Sequence, residues 1–195
     1  MISIMGAGDG ELTVSVPFGF IRLHLRLSSI IAAGRLIARP SILSGECLLV
    51  DRLSGLALDS TTDDRPRVRQ RPVMWTVHGA PWQRWRLRRA GKGAISITSV
   101  HSGLSLTTDN PPGGGSWVWL DHYRGSTEQL WRVRRTPDGS SYQISSSTTS
   151  FMLDSGKSPA VPAAAEGHDL EAPSSPFISS NWGDENQKWS ILRVT

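Results

Sequence analysis

The sequence predicts an all-β domain assembled from three copies of one unit and preceded by an extension that lies outside the repeat. Three observations carry this. Gln-x-Trp occurs three times, as Gln83-Arg84-Trp85, Gln129-Leu130-Trp131 and Gln187-Lys188-Trp189, each followed by the alternating apolar residues of a strand. Upstream of each lies a short apolar strand, a turn and a Leu-Asp-like pair, and the leucines of those pairs, Leu58, Leu106 and Leu153, stand 48 and 47 residues apart. Short apolar runs separated by clusters of Gly, Ser, Thr and Pro favour strands and hairpins over helices.

In chain order, residues 1–41 come first. They hold Arg22, Arg26, Arg35 and Arg39 against Asp9 and Glu11, with an apolar series from Phe18 to Ile37 interrupted by arginines. A secretory signal needs a basic start and an uninterrupted apolar stretch of about 7–15 residues, and a bilayer span needs about 20 apolar residues, so neither fits. The segment is expected to be a poorly ordered extension; an amphipathic targeting or membrane-surface helix over residues 18–39 is the second reading.

The first repeat, about residues 42–89, offers Leu48 and Val50 for its strand, Ser54-Gly55 for the turn and Leu58-Asp59 for the pair. The second, about 90–135, has Ile95 and Ile97, Ser102-Gly103 and Leu106-Thr107; the third, about 136–195, has Tyr142 and Ile144, Thr149-Ser150 and Leu153-Asp154. Even the flanks agree, since Trp85-Arg86-Leu87-Arg88-Arg89 is nearly repeated as Trp131-Arg132-Val133-Arg134-Arg135. The third repeat is longer: Asp154 to Gln187 spans 33 residues, against 24 from Asp59 to Gln83 and 22 from Thr107 to Gln129. Its extra segment, around Pro159 to Pro176, is rich in Ala, Ser and Pro, and a loop of that length is uncommon unless functional or mobile.

With these residues in place, residues 42–195 resemble a ricin-B-type lectin domain. The run Trp75, His78-Gly79, Pro81 and Gln83-Arg84-Trp85 resembles the disulfide-free fungal members. The resemblance implies a β-trefoil of six hairpins, closed into a barrel with a hairpin cap. In such a fold Trp85, Trp131 and Trp189 fill the core as equivalent large side chains, and the matching glutamines satisfy backbone groups at hairpin ends.

The family also implies a sugar site in each repeat. An Asp after the early strand accepts from two adjacent hydroxyls, an aromatic stacks on the apolar C–H face of the ring, and an Asn beside the signature Gln adds further bonds. Carried onto this chain, the third repeat keeps Asp154, Asn186 and Gln187, with Trp182 as its aromatic and Phe177 as the other candidate. The first keeps Asp59, Trp75, His78 and Gln83, with Trp82 in the place of the Asn. The second has Thr107 for Asp and Glu128 for Asn, so it is expected to have lost sugar binding despite Trp117, Trp119 and Tyr123.

The expected function is glycan binding without catalysis, through shallow sites in the third and the first repeat, with galactose-type sugars among the expected ligands. Single sites of this kind bind at about millimolar strength, so several lobes or an oligomer would supply avidity. Two alternatives stand beside it: a trefoil that binds protein through its loops, such as a protease inhibitor, and an anionic-surface binder. The second rests on Arg65, Arg67, Arg69 and Arg71, and on Arg84, Arg86 and Arg88, whose alternation would line up guanidinium groups on one strand face.

Neither a cofactor nor a metal is expected. The five histidines (24, 78, 101, 122 and 168) form no metal-binding motif, Cys47 is the lone cysteine, and there is no Gly-x-Ser-x-Gly. Gly113-Gly114-Gly115-Ser116 lacks the Lys of a phosphate loop. Of the net charge of +4, the extension carries four basic and two acidic residues and the repeats 17 and 15, so the repeat domain is near neutral and no nucleic acid is expected. Cys47 is predicted to be a buried structural thiol. With no disulfide partner and no Asn-x-Ser/Thr acceptor, the chain fits a reducing cytoplasm better than secretion, and organelle targeting through residues 1–41 stays open.

Overall fold

The structure is a computed structural model that describes residues 45–60, 67–109, 113–156 and 174–194, together with three strands nearer the N-terminus. Those three, β1 (Ser3–Ala7), β2 (Glu11–Val16) and β3 (Gly19–Ile21), form an antiparallel meander in the order β1-β2-β3. β3 lies where the amphipathic-helix reading began, and it is extended because Phe20 and Ile21 pair with Ser15 and Val14 of β2. Residues 22–39 lie outside the described residues. Two compact units divide the chain, one made chiefly of residues 1–39 and the other chiefly of residues 40–195.

The larger unit is the predicted all-β trefoil. Six strands, β4 (Glu46–Asp51), β7 (Trp85–Gly91), β8 (Ala94–Ser99), β11 (Trp131–Arg135), β12 (Tyr142–Ser146) and β15 (Trp189–Val194), pair antiparallel in that order, and β15 closes on β4. Closure leaves the barrel no unpaired edge. Three short hairpins cap it: β5 (Ala57–Asp59) with β6 (Val73–Trp75), β9 (Ser105–Thr107) with β10 (Trp119–Asp121), and β13 (Met152–Asp154) with β14 (Phe177–Ser179). Among the described residues no helix is long and apolar enough to cross a membrane.

The repeated residues do repeated work. Trp85, Trp131 and Trp189 are fully buried, and each indole N–H donates to the carbonyl of a repeat leucine, Leu58 (2.9 Å), Leu106 (3.0 Å) and Leu153 (3.1 Å). Each Trp thus fills the barrel and ties it to the cap strand that carries the next residue, Asp59, Thr107 or Asp154. The cap hairpins are laced in a cycle as well: Met74 N–H donates to Ser174 O, Leu120 N–H to Gln70 O and Ile178 N–H to Ser116 O, at 2.8, 2.9 and 2.8 Å. Cys47 is buried as predicted, its thiol facing Trp85 O at 3.4 Å; burial pushes its pKa up to about 12 against the opposing charge of Arg193.

One arginine series is not a strand. Arg65 lies outside the described residues, and residues 67–70 form a turn in which Gln70 N–H donates to Arg67 O at 3.3 Å and Arg69 takes a left-handed φ of 66°. The bond from Arg69 N–H to Leu120 O, 2.8 Å, holds this loop against β10 instead of extending it. The other series is a strand only in part: Arg84 ends the 3-10 turn before β7, while Arg86 and Arg88 flank the buried Leu87 on β7, and Glu46 pairs with Arg86 at 2.8 Å and with Arg84 at 3.8 Å.

Candidate functional site

Each lobe builds the same frame from the strand that ends in Asp59, Thr107 or Asp154 and a short 3-10 turn, Pro81–Gln83, Thr127–Gln129 or Glu185–Gln187. The signature glutamines are buried and hold the loop before the turn. Gln83 Oε1 accepts from His78 N–H (2.9 Å) and Gly79 N–H (3.1 Å), Gln129 Oε1 from Arg124 N–H (2.7 Å), and Gln187 Oε1 from Trp182 N–H (3.0 Å). Their amides donate to Thr76 O, His122 O and Ser180 O, which satisfies backbone groups as the sequence suggested. These bonds make His78, Arg124 and Trp182 equivalent, and likewise Trp75, Asp121 and Ser179.

In the third lobe Asp154, Asn186 and Gln187 come together, but inward. Asp154 is 3% exposed and accepts four hydrogen bonds: Oδ1 from Gly156 N–H (2.8 Å) and Asn186 Nδ2 (2.6 Å), Oδ2 from Ser179 Oγ (2.7 Å) and Gln187 Nε2 (3.1 Å). A carboxylate has about four acceptor directions, so this one is saturated within the protein. Trp182 stands 70% exposed nearby in sequence. Phe177 instead meets Trp117 of the second lobe edge-on, with ring centroids 6.0 Å apart. Residues 157–173, most of the inserted segment, lie outside the described residues.

The first lobe is arranged differently. Asp59 is buried, and the half-exposed His78 faces it with Nε2 3.5 Å from Oδ2. Ala80 N–H faces His78 Nδ1 at 3.2 Å and Trp82 Nε1 faces His78 Nε2 at 3.3 Å; a neutral imidazole accepts from one of the two. Trp82 is held edge-on between His78 and His101. Trp75, where the third lobe has Ser179, exposes 43% of its surface.

The second lobe has filled its own site. Thr107 Oγ1 donates to Ser105 O at 2.9 Å and accepts from Gln129 Nε2 at 3.3 Å, while Asp121 is engaged by Arg124 at 3.0 and 3.3 Å. Sequence reasoning passed over two contributors. Ser60, Thr108 and Ser155 each donate their backbone N–H to the carbonyl of Trp82, Glu128 or Asn186, a role legible in the repeated Leu-Asp-Ser, Leu-Thr-Thr and Leu-Asp-Ser. Ser179, which locks Asp154, has no such repeat to betray it. Among the described residues no group of three or more His, Cys, Asp or Glu is placed to hold a metal ion.

Comparison with known proteins agrees with this architecture. The designed three-fold symmetric protein ThreeFoil superimposes with a TM-score of 0.65 at 26% identity, covering 77% of this chain and 100% of its own. The Macrolepiota procera ricin B-like lectin, solved in complex with lactose, gives 0.61 at 18% identity over 80% of this chain and 100% of that one, and shares the fold. The exo-β-1,3-galactanase 1,3Gal43A of Clostridium thermocellum gives 0.61 at 26% identity over 80% of this chain, which spans only 31% of that enzyme. No curated protein matches the sequence. The family model described as ricin-type β-trefoil lectin domain-like matches residues 39–114 and 81–166, well over half of the chain. With the threefold Gln-x-Trp frame, the closed barrel and that match together, the chain belongs to the ricin-type β-trefoil lectin-like family.

Proposed function

We propose that the domain binds glycans without transforming them, with the first lobe as its main site and the third as a secondary one. The observation that carries this is that Asp154 has its four acceptor directions met within the third lobe, whereas the first lobe exposes both an indole face and an imidazole. His78 is half-exposed, with Nε2 3.5 Å from Asp59 Oδ2. Trp75 offers an exposed apolar face for a sugar ring, and His78 a polar group in the same lobe. In the third lobe a hydroxyl must displace one of four short bonds, so Trp182 there contributes stacking with weaker polar support.

Lactose is the first sugar to try, because the Macrolepiota procera lectin was solved with it. Titration of the full chain is expected to give a Kd of about 1 mM, or about 4 kcal/mol. Asp59→Asn should abolish that signal while the near-ultraviolet spectrum of the buried tryptophans stays unchanged. A folded protein that binds no member of a broad glycan array at comparable site concentration overturns the reading and points to a protein target for the loops.

A further inference from the structure

We propose that Arg69, Arg71, Trp117 and Trp119 form a second binding site on the hairpin cap, for the sulfate groups of a sulfated polysaccharide. The site uses none of the residues assigned to neutral sugar, and it stands whether or not that assignment does. It begins with an aromatic ladder: Arg71 Cζ lies 4.3 Å from the Trp117 ring and 4.9 Å from the Trp119 ring, and Arg69 Cζ lies 4.7 Å from Trp119. The cap fixes the ladder at both ends. Arg69 N–H bonds Leu120 O and Leu120 N–H bonds Gln70 O, which clamps the arginine loop on β10, while Trp117 packs edge-on against Phe177. The left-handed backbone of Arg69 is unfavourable for a non-glycine residue, and these bonds hold it in place.

The electrostatics leave the arginines in want of an anion. Arg52, Arg84, Arg86 and Arg124 each meet a carboxylate within 4 Å, whereas among the described residues neither Arg69 nor Arg71 does. The acid recorded at the ladder, Asp109, accepts from Trp119 Nε1 at 3.1 Å. A guanidinium stacked on an indole keeps its in-plane N–H fork free, and that fork matches the oxygens of a sulfate bidentately. Both arginines lie within 5 Å of the Trp119 ring centroid, so two forks are gathered about one indole, which suits a polymer with repeated sulfates. A nucleic acid strand fits less well, because the indole faces on which its bases would stack are already met by guanidinium groups.

The test uses the full chain with dextran sulfate, unsulfated dextran and a single-stranded oligothymidylate as probes, at about 50 and 300 mM salt. Arg69→Asn/Arg71→Gln keeps a residue tolerant of the left-handed turn and removes both forks. Arg88→Gln/Arg89→Gln removes the same charge from exposed positions on β7 at which, among the described residues, no guanidinium lies over a ring. The expected result is binding to dextran sulfate alone, weakened at least about tenfold by the cap pair and less than about threefold by the β7 pair, with a drop of at least about tenfold at the higher salt. Equal losses in the two variants would mean diffuse charge attraction and would overturn the proposal, as would oligothymidylate binding of equal strength or no binding to dextran sulfate at low salt. Lactose titration of the cap variant, run alongside, is expected to be unchanged.

Discussion

Asp59 and Asp154 end equivalent strands, β5 and β13, lie beside equivalent buried glutamines and are almost equally hidden, yet the side chains around them differ. Asp154 is locked by four donors, among them Asn186 and Ser179, whereas the first lobe sets the half-exposed His78 at 3.5 Å from Asp59 and has indoles in place of those two residues. Much of the difference traces to two positions. Ser179 in the third lobe becomes Trp75 in the first, and Asn186 becomes Trp82. Two small polar groups that turn inward are thereby exchanged for two indoles that turn outward. A complete polar set at a surface site is thus no measure of its readiness for ligand, since a set that is complete among itself has nothing left to offer.

The largest effects should come from the frame that the two lobes share. Trp85→Ala and Trp189→Ala each empty a fully buried position and leave a leucine carbonyl without its donor, so each is expected to cost about 3–5 kcal/mol. Urea unfolding checks this, and a clear inequality between the pair would break the premise that the lobes differ only at their surfaces. Next in size is the carboxylate pair. Asp154→Ala strands the buried donors of Asn186, Ser179 and Gln187 and should cost about 3 kcal/mol, with little change in lactose affinity. Asp59→Ala should remove lactose binding. Loss of lactose binding in Asp154→Ala but not in Asp59→Ala would hand the main site to the third lobe.

The aromatics sharpen the same contrast at smaller magnitude. Trp75→Ala removes an exposed stacking face and is expected to weaken lactose at least tenfold, about 1.4 kcal/mol, while lowering stability by no more than about 1 kcal/mol. Trp182→Ala, although it deletes the most exposed of the tryptophans with recorded exposure, should change lactose affinity less than about threefold. Titration of both variants beside the parent decides whether exposure alone makes a site or exposure in the lobe that also presents His78.

The fold was legible because threefold closure demands repetition. A Trp that must meet its two counterparts in one barrel recurs with its Gln, and Leu58, Leu106 and Leu153 recur because each supplies the carbonyl its indole needs. The site was legible only as a set of residue types. That Asp154 would be saturated depended on Ser179, eight residues before Gln187 and far from Asp154 in sequence, turning its hydroxyl inward. Side-chain satisfaction is a three-dimensional count that spacing does not carry. The loop with Arg67, Arg69 and Arg71 failed for a related reason: alternation suggested a strand, but the bond from Arg69 to Leu120, across the lobe boundary, fixed a turn.

The smallest expected effect separates the lobes by pH. The 3-10 turn of the third lobe begins with Glu185 where that of the first has Pro81. The hydrogen bond from Lys188, 2.7 Å away, holds the Glu185 carboxyl below its ordinary value, outweighing its slight desolvation, and the charges of Lys188 and Arg52 add to the effect. A carboxyl whose pKa is lowered on folding contributes stability that is fully present above the unfolded value, about 4.3, and is lost as pH falls through the lower folded one. Since Glu185 is largely exposed, solvent screens the pair and the contribution is small. Between pH 6 and about pH 3 the thermal midpoint of the parent should therefore fall slightly further than that of Glu185→Gln. Lactose affinity, measured down to about pH 5, should be the same in both proteins, because Pro81 gives the first-lobe turn nothing to titrate at that position. An affinity change confined to the parent would show that the third lobe, and not the first, holds the sugar.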